Sequence, residues 1–254
     1  MPTLDVPGAS IYYEVHGEGP WLVLAHGAGG NHLTWHNQVP RFAGRYRCLI
    51  YAHRGWGLSR CEGAPDPARF ADDLTALLDH VGAERAALVG QSMGGWAVYG
   101  CALQNPDRLS HLVLTSTLAG LTDDQMLERI LELHDPSAPF DGQKALAPDF
   151  PRREPARTFL MAQIAGLNPP LEPSFLQALI GLRYPAEPEK LRMPILYLAG
   201  GHDQLIPLDL QKRAQAKLPA SELAVVEESG HSIYFECPGD FNQILDGFLS
   251  KGNG

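Results

Sequence analysis

Short, continuous apolar runs punctuate the chain. WLVLAHG (21–27), RCLIYAH (47–53), AALVGQS (86–92), HLVLTST (111–117), PILYLAGG (194–201) and ELAVVEE (222–228) each have the length and composition of a strand buried on both faces. SIYYEVHG (10–17) reads as an extended strand of mixed faces closing in a glycine turn. Between the runs the apolar period changes to that of a helix. In DPARFADDLTALLDHVG, Phe70, Leu74, Leu77, Leu78 and Val81 form one face, with Asp66 placed to cap, Pro67 in the first turn and Gly82 at the end. Near the C-terminus Phe241, Ile244, Leu245, Phe248 and Leu249 form another such face. Buried strands alternating with amphipathic helices predict an α/β fold, a mostly parallel sheet covered on both faces.

One region breaks this rhythm. From 118 to 192 no strand pattern occurs, and three helical segments are separated by proline-rich pieces: TDDQMLERILELH, EPARTFLMAQIAGL and EPSFLQALIGL. Thr122 and Gln125 stand in capping-box relation at the start of the first. The expected organisation is a core domain made of 1–117 and 193–254, with 118–192 inserted as a helical cap.

Composition narrows the function classes. With 44% hydrophobic and 19% charged residues, the chain can bury a core and is not expected to be disordered. A formal net charge of -9 argues against nucleic acid and against an anionic membrane as partners. Cys48, Cys61, Cys101 and Cys237 include no CxxC pair and no metal-type spacing, which fits a reducing compartment. The N-terminal stretch lacks a basic, then apolar, targeting pattern, and no run reaches membrane-spanning length, so the expected location is the cytoplasm.

The chemistry centres on VGQSMGGW. A serine between glycines, after a strand pattern and before a helix pattern, is what a nucleophile elbow requires, with Gly90 and Gly94 removing Cβ atoms where the chain turns sharply. A serine hydroxyl needs a base. His231, in VVEESGHSIYFECP, follows the last strand at the carboxyl edge of the sheet, the edge on which Ser92 also falls. The base needs an orienting carboxylate. Asp203, in ILYLAGGHDQLIP, is presented at that same edge, whereas HLVLTSTLAG offers no acid before Asp123.

The order Ser92, Asp203, His231, each after a different strand, resembles the α/β-hydrolase fold family over essentially the whole chain. LVLAHGAGGNHLTW is similar to the family's HG-x-x-G loop, and YAHRGWGLS to its D-x-R-G-x-G-x-S loop, with Ala52 where the family usually carries Asp. The resemblance implies an eight-stranded sheet and an oxyanion hole made by the backbone N–H groups of Ala28 and Met93. In that reading His26 pins the oxyanion loop, and His53, Arg54 and Ser59 hold the second loop. Gly27, Gly29, Trp35, Trp56 and Trp96 are candidates for the substrate-binding surface. Met126, Ile130, Phe159 and Ile164 are the candidates from the cap, where Leu127, Leu131, Phe140, Leu160 and Met161 add further apolar surface.

The function implied is hydrolysis of small to medium, mostly apolar carboxylic esters or lactones through an acyl-enzyme at Ser92, with no metal and no organic cofactor. The partner expected is the small-molecule substrate, and the chain is compatible with a monomer or a homodimer. The same triad leaves three alternatives: a C–C bond hydrolase, a cofactor-free perhydrolase or haloperoxidase, and a ligand-sensing receptor with vestigial hydrolysis.

Overall fold

Six of the apolar runs pair side by side as parallel strands. In the computed structural model, which describes residues 2–133 and 141–251, the strands are β1 (Thr3–Val6), β2 (Ala9–His16), β3 (Trp21–Ala25), β4 (Arg47–Tyr51), β5 (Arg60–Cys61), β6 (Ala86–Gln91), β7 (Leu109–Thr115), β8 (Ile195–Gly200) and β9 (Glu222–Val226). His134, Phe140 and the last three residues lie outside the described residues. The helices are α1 (Val39–Phe42), α2 (Phe70–His80), α3 (Met93–Gln104), α4 (Asp124–Leu133), α5 (Phe150–Arg153), α6 (Pro155–Ala165), α7 (Pro173–Gly181), α8 (Leu208–Gln215), α9 (Ile233–Glu236) and α10 (Pro238–Leu249).

The sheet runs β1-β2-β4-β3-β6-β7-β8-β9. β1 and β2 are antiparallel to their neighbours, and β4 through β9 along this path are parallel. These eight strands are the number implied by the family resemblance. A ninth, β5, is two residues long and pairs with the start of β2, Ala9 opposite Cys61 and Ser10 opposite Arg60.

Strand period two divides the core. Val23, Leu49, Leu88, Leu112 and Tyr197 face one way and pack with Phe70, Leu74, Tyr99 and Leu210 of α2, α3 and α8. Their neighbours Leu22, Cys48, Val89, Val113 and Leu198 face the other way, against Phe42 of α1 and Phe241, Leu245 and Phe248 of α10. All four cysteines are free thiols, and Cys48 and Cys101 are buried.

Between β7 and β8 the described chain is helical. It seats on both cores: Met126, Ile130, Phe175 and Leu179 join the first, and Leu146, Ala147 and Phe150 join the second. The start of α4 differs from the expected capping box. Asp123, not Thr122, takes the cap, its Oδ1 accepting the Met126 N–H at 3.0 Å. The physical reason lies next door: Arg213 and Lys217 of the α8 region hold the Asp123 carboxylate in place, while the Thr122 hydroxyl is buried without a partner among the described residues.

The chain leaves β3 toward β4 on one side, then crosses back to place β6 on the other. The carboxyl ends of β3 and β6 therefore flank a switch point, where α/β sheets open a crevice. Register brings Ala25 opposite Gly90, Gln91 opposite Thr115, Thr115 opposite Leu198 and Gly200 opposite Val226. The loops after β3, β6, β8 and β9 thus share one edge.

Candidate active site

Ser92 sits between β6 and α3 with φ 50° and ψ -119°, a left-handed conformation for a residue with a side chain. Such backbone costs on the order of 1–3 kcal/mol and persists only when its surroundings hold it. Here the Ser92 N–H donates to Thr115 O at 3.0 Å, and its carbonyl accepts the Gly95 N–H at 2.8 Å and the Thr117 hydroxyl at 2.7 Å. A Cβ on Gly90 would stand 2.6 Å from the Gly94 carbonyl oxygen, and one on Gly94 would strike the Ala25 and His26 carbonyls. Glycine at both positions is what lets the turn close.

The loop after β3 lies directly against this elbow. A Cβ on Gly27 would be 2.9 Å from Ser92 Cβ. His26 is fully buried and fixes the loop through both ring nitrogens. Nδ1–H donates to Gly27 O at 2.7 Å, and Nε2 accepts the His53 N–H at 3.0 Å. Accepting an N–H demands a lone pair, so the ring is neutral with its proton on Nδ1. Burial supports this: it pulls the His26 pKa down to about 4, against the Gly27 carbonyl, which pulls it up. Trp56 Nε1–H donates to Ala28 O at 2.7 Å, a further tie on this loop. Among the described residues, neither the Ala28 N–H nor the Met93 N–H makes a hydrogen bond. Met93 opens α3, where an unpaired N–H and the positive end of the helix dipole coincide.

Asp203 and His231 meet across the loops that follow β8 and β9. His231 Nδ1 lies 2.8 Å from Asp203 Oδ2, and both side chains are buried. The Asp203 carboxylate has further partners. Oδ1 accepts the Leu205 and Ile206 N–H groups, each at 2.9 Å, and Oδ2 accepts Gln211 Nε2–H at 2.9 Å. The Gln211 side chain, fully buried on α8, also donates to Ile206 O at 2.6 Å. The His231 backbone is tied to the elbow, its carbonyl accepting from Gln91 Nε2 at 3.3 Å. Gln211 and Thr117 were not anticipated from the sequence. The available signal for Gln211 was a lone polar side chain beside Leu210 and one turn before Ala214, on the apolar face of α8.

The candidate substrate-binding residues separate. Trp56 packs on Phe175 of α7, with ring centroids 4.9 Å apart, and so bridges the loop after β3 to α7. Trp96 Nε1–H donates to Leu182 O at 2.9 Å just beyond α7. Ile164 lies at the seam, its carbonyl accepting from Asn31 Nδ2 at 2.9 Å. Gly29 O accepts from Asn168 Nδ2 at 3.3 Å. Met126 and Ile130 are buried in the core shared by α4 and the sheet helices. Trp35 and Phe159 depart from the expectation of pocket walls. Trp35 is fully buried against Tyr234 and Phe241, part of the core beneath α10, because the turn His32–Trp35 directs it inward. Phe159 is 66% exposed, because α6 turns Ile164 inward and Phe159, five residues earlier, falls on the opposite face.

The second loop is held as the resemblance implied. Arg54 grips Asp73 of α2 with two bonds, at 2.7 and 2.6 Å. The Ser59 hydroxyl donates to Ala52 O at 2.7 Å and accepts the Tyr12 N–H at 2.8 Å. His53 is buried among His26, Tyr51 and Phe70, and burial takes its pKa well below the ordinary histidine value. With Ala52, the loop closes on backbone and hydroxyl bonds alone at that position.

This arrangement of sheet and loops defines a class, the hydrolases of the α/β fold. The comparison with known families agrees: the Alpha/beta hydrolase family matches residues 22–244, and the chain belongs to it. It is 30% identical over 260 residues to the protein named "Putative carbamate hydrolase RutD" of Caulobacter sp. (strain K31), covering 94% of this chain and 96% of the relative. It is 30% identical over 274 residues to a 2-hydroxy-6-oxononadienedioate/2-hydroxy-6-oxononatrienedioate hydrolase of Paraburkholderia phymatum, covering 95% and 91%. A pimeloyl-[acyl-carrier protein] methyl ester esterase of Aeromonas hydrophila is 28% identical over 267 residues, covering 94% and 99%. Among solved structures, a thermophilic esterase from Thermogutta terrifontis has the same fold, with a TM-score of 0.80 at 22% identity over 99% of each chain. No helix among the described residues is long and apolar enough to cross a membrane.

Proposed function

We propose that the protein hydrolyses small to medium, mostly apolar carboxylic esters or lactones through a covalent acyl-enzyme on Ser92. The observation that carries this reading is the strained Ser92 elbow packed against the Gly27 loop, with the N–H of Met93, next in the chain, and that of Ala28, in the loop, both without a partner among the described residues. Donors held in place and otherwise unpaired are what a developing oxyanion needs.

Ser92 Oγ attacks the carbonyl carbon while His231 Nε2 takes its proton, Nδ1 being committed to Asp203. The carbonyl oxygen, now an anion, receives the two amides. The C–O bond to the alcohol breaks as His231 returns the proton to the leaving oxygen. Water then attacks the acyl-enzyme with His231 again as base, releasing the acid and free Ser92. Asp203 holds the imidazole's tautomer and orientation throughout. The sequence of steps calls for no metal and no organic cofactor, and the partner is the substrate itself.

The names of two relatives favour a second reading on the same residues. A carbamate differs from an ester only in the nitrogen beside the carbonyl, and a C–C hydrolase would use the same oxyanion site with a carbon leaving group. The experiment is a panel of short-chain esters, lactones, carbamates and vinylogous diketones against the parent and Ser92→Ala. The proposal expects esters or lactones to give the highest kcat/KM, with Ser92→Ala losing on the order of 10³-fold or more in kcat. Carbamate or diketone turnover far above that on esters would overturn the substrate class, and an active Ser92→Ala would overturn the nucleophile.

A further inference from the structure

Five residues beyond His231 a second carboxylate is buried, one that the mechanism above does not use. Glu236 lies in α9 and is 5% exposed. It has no salt bridge to a cation among the described residues. Its acceptors are spent on amides and a hydroxyl instead. Oε1 accepts the Ser232 N–H at 3.1 Å and lies 3.4 Å from the Ser229 hydroxyl, and Oε2 accepts the Ala147 N–H at 2.7 Å. The carboxylate therefore gathers the chain on both sides of His231 and joins it to a segment of the cap.

That cap segment, 146–147, is anchored a second time. Leu146 O accepts from Gln204 Nε2 at 3.0 Å, and Gln204 is the residue after Asp203. Gly230 lies flat beneath it: a Cβ there would stand 2.6 Å from the Leu146 carbonyl carbon and would strike the Ala147 nitrogen. One short strap is thus bonded to the acid loop at one residue and to Glu236 of α9 at the next, while packing on Gly230 of the histidine loop.

We propose that Glu236 is a positioning residue for the general base, setting the His231 imidazole through the Ser232 amide and Ser229 hydroxyl on either side of it, in a network that the strap 146–147 completes. This rests on the reading of His231 as the base. The Ala147 N–H completes the carboxylate's set of partners. A buried carboxylate satisfied by two chain segments, 229–232 and 147, is costly to leave half-paired, so losing either should loosen the other. Misplacing a reacting group by about 1 Å can lower a rate on the order of 10²-fold.

The test is the single-turnover acylation rate of Ser92 and the steady-state kcat and KM, measured on the parent, Glu236→Ala, Glu236→Gln and His231→Ala with a p-nitrophenyl ester. The folded fraction is normalised by circular dichroism. The proposal expects Glu236→Ala to acylate roughly 10-fold slower or worse with KM little changed. Glu236→Gln, which keeps the shape and one acceptor, should fall between it and the parent. Hydrogen exchange should show the peptides carrying 147 and 230–232 losing protection together. Should Glu236→Ala fail to fold, Glu236→Gln carries the same comparison. Folded variants that acylate within two-fold of the parent, or that change KM alone, overturn the proposal. His231→Ala separates the two levels: if it keeps the parent's rate, the underlying reading of the base fails. If it is inactive while both Glu236 variants are normal, only the positioning role fails.

Discussion

Replacing His26 with Asn should flatten the acid limb of the protein's stability curve. In the folded state His26 is neutral and buried, its proton on Nδ1, with a pKa of about 4. In the unfolded chain the imidazole returns to about 6.5. Between these values the unfolded state binds a proton that the folded state does not. Stability is therefore full above about 6.5, falls as pH falls toward 4, and takes no further loss from this residue below that. Taken from pH 7.5 to 4.5, the difference is worth roughly 2–3 kcal/mol. Burial lowers the His53 pKa as well, so it loads the same limb in the same direction. Asn at 26 keeps a donor for Gly27 O, loses the acceptor for the His53 N–H, and does not titrate. Urea unfolding of the parent and His26→Asn at several pH values reads the effect. The variant should be less stable at pH 7.5, by about 1–2 kcal/mol for the orphaned His53 N–H. It should also lose roughly 2–3 kcal/mol less than the parent between pH 7.5 and 4.5. An identical acid dependence in the two proteins would refute the neutral, buried His26.

Three further outcomes are expected. Asp203→Asn should lower kcat by on the order of 10³-fold or more while leaving the circular dichroism spectrum and melting temperature near those of the parent, since the two loop amides at 205 and 206 still find an acceptor. Gln211→Leu removes the side-chain donor to Asp203 Oδ2; kcat should drop roughly 10-fold with KM nearly unchanged, and an unaltered kcat would show that the backbone amides alone hold the acid. Arg54→Ala should destabilise by about 3–5 kcal/mol by leaving Asp73 buried and unpaired, and Arg54→Met with Asp73→Leu should recover much of that in a denaturant melt.

The strands that carry the site were readable because each is buried on both faces and so written in unbroken apolar residues. β1 and β5 were not. β1 alternates exposed and half-buried positions at the sheet margin, and β5 is two residues whose strand character exists only through their pairing with β2. Ser92, Asp203 and His231 could be placed on one edge from the sequence because each lies on the loop after a strand, and parallel topology brings those loops to one edge. Residues that act through a neighbour left weaker traces. Gln211 and Glu236 reach their partners from helices that begin after the loops they serve, and Thr117 is one hydroxyl among several in HLVLTST. The aromatic residues were hardest to place. Trp35 and Trp56 are both near loops in sequence, and only the direction of the short turn at 32–35 sends one into the core while the other spans from the loop after β3 to α7. The Thr122 capping box failed because a tertiary ion pair with Arg213 settled which acid or hydroxyl took the cap.

The central claim is a covalent intermediate on Ser92. Rapid-quench mass spectrometry of the protein mixed with p-nitrophenyl acetate would read it directly. A transient mass increase of one acetyl group is expected on the peptide carrying Ser92, matched by a burst of p-nitrophenol of about one equivalent, and neither in Ser92→Ala. Turnover without a burst and without a modified peptide, or the adduct on another residue, would contradict it.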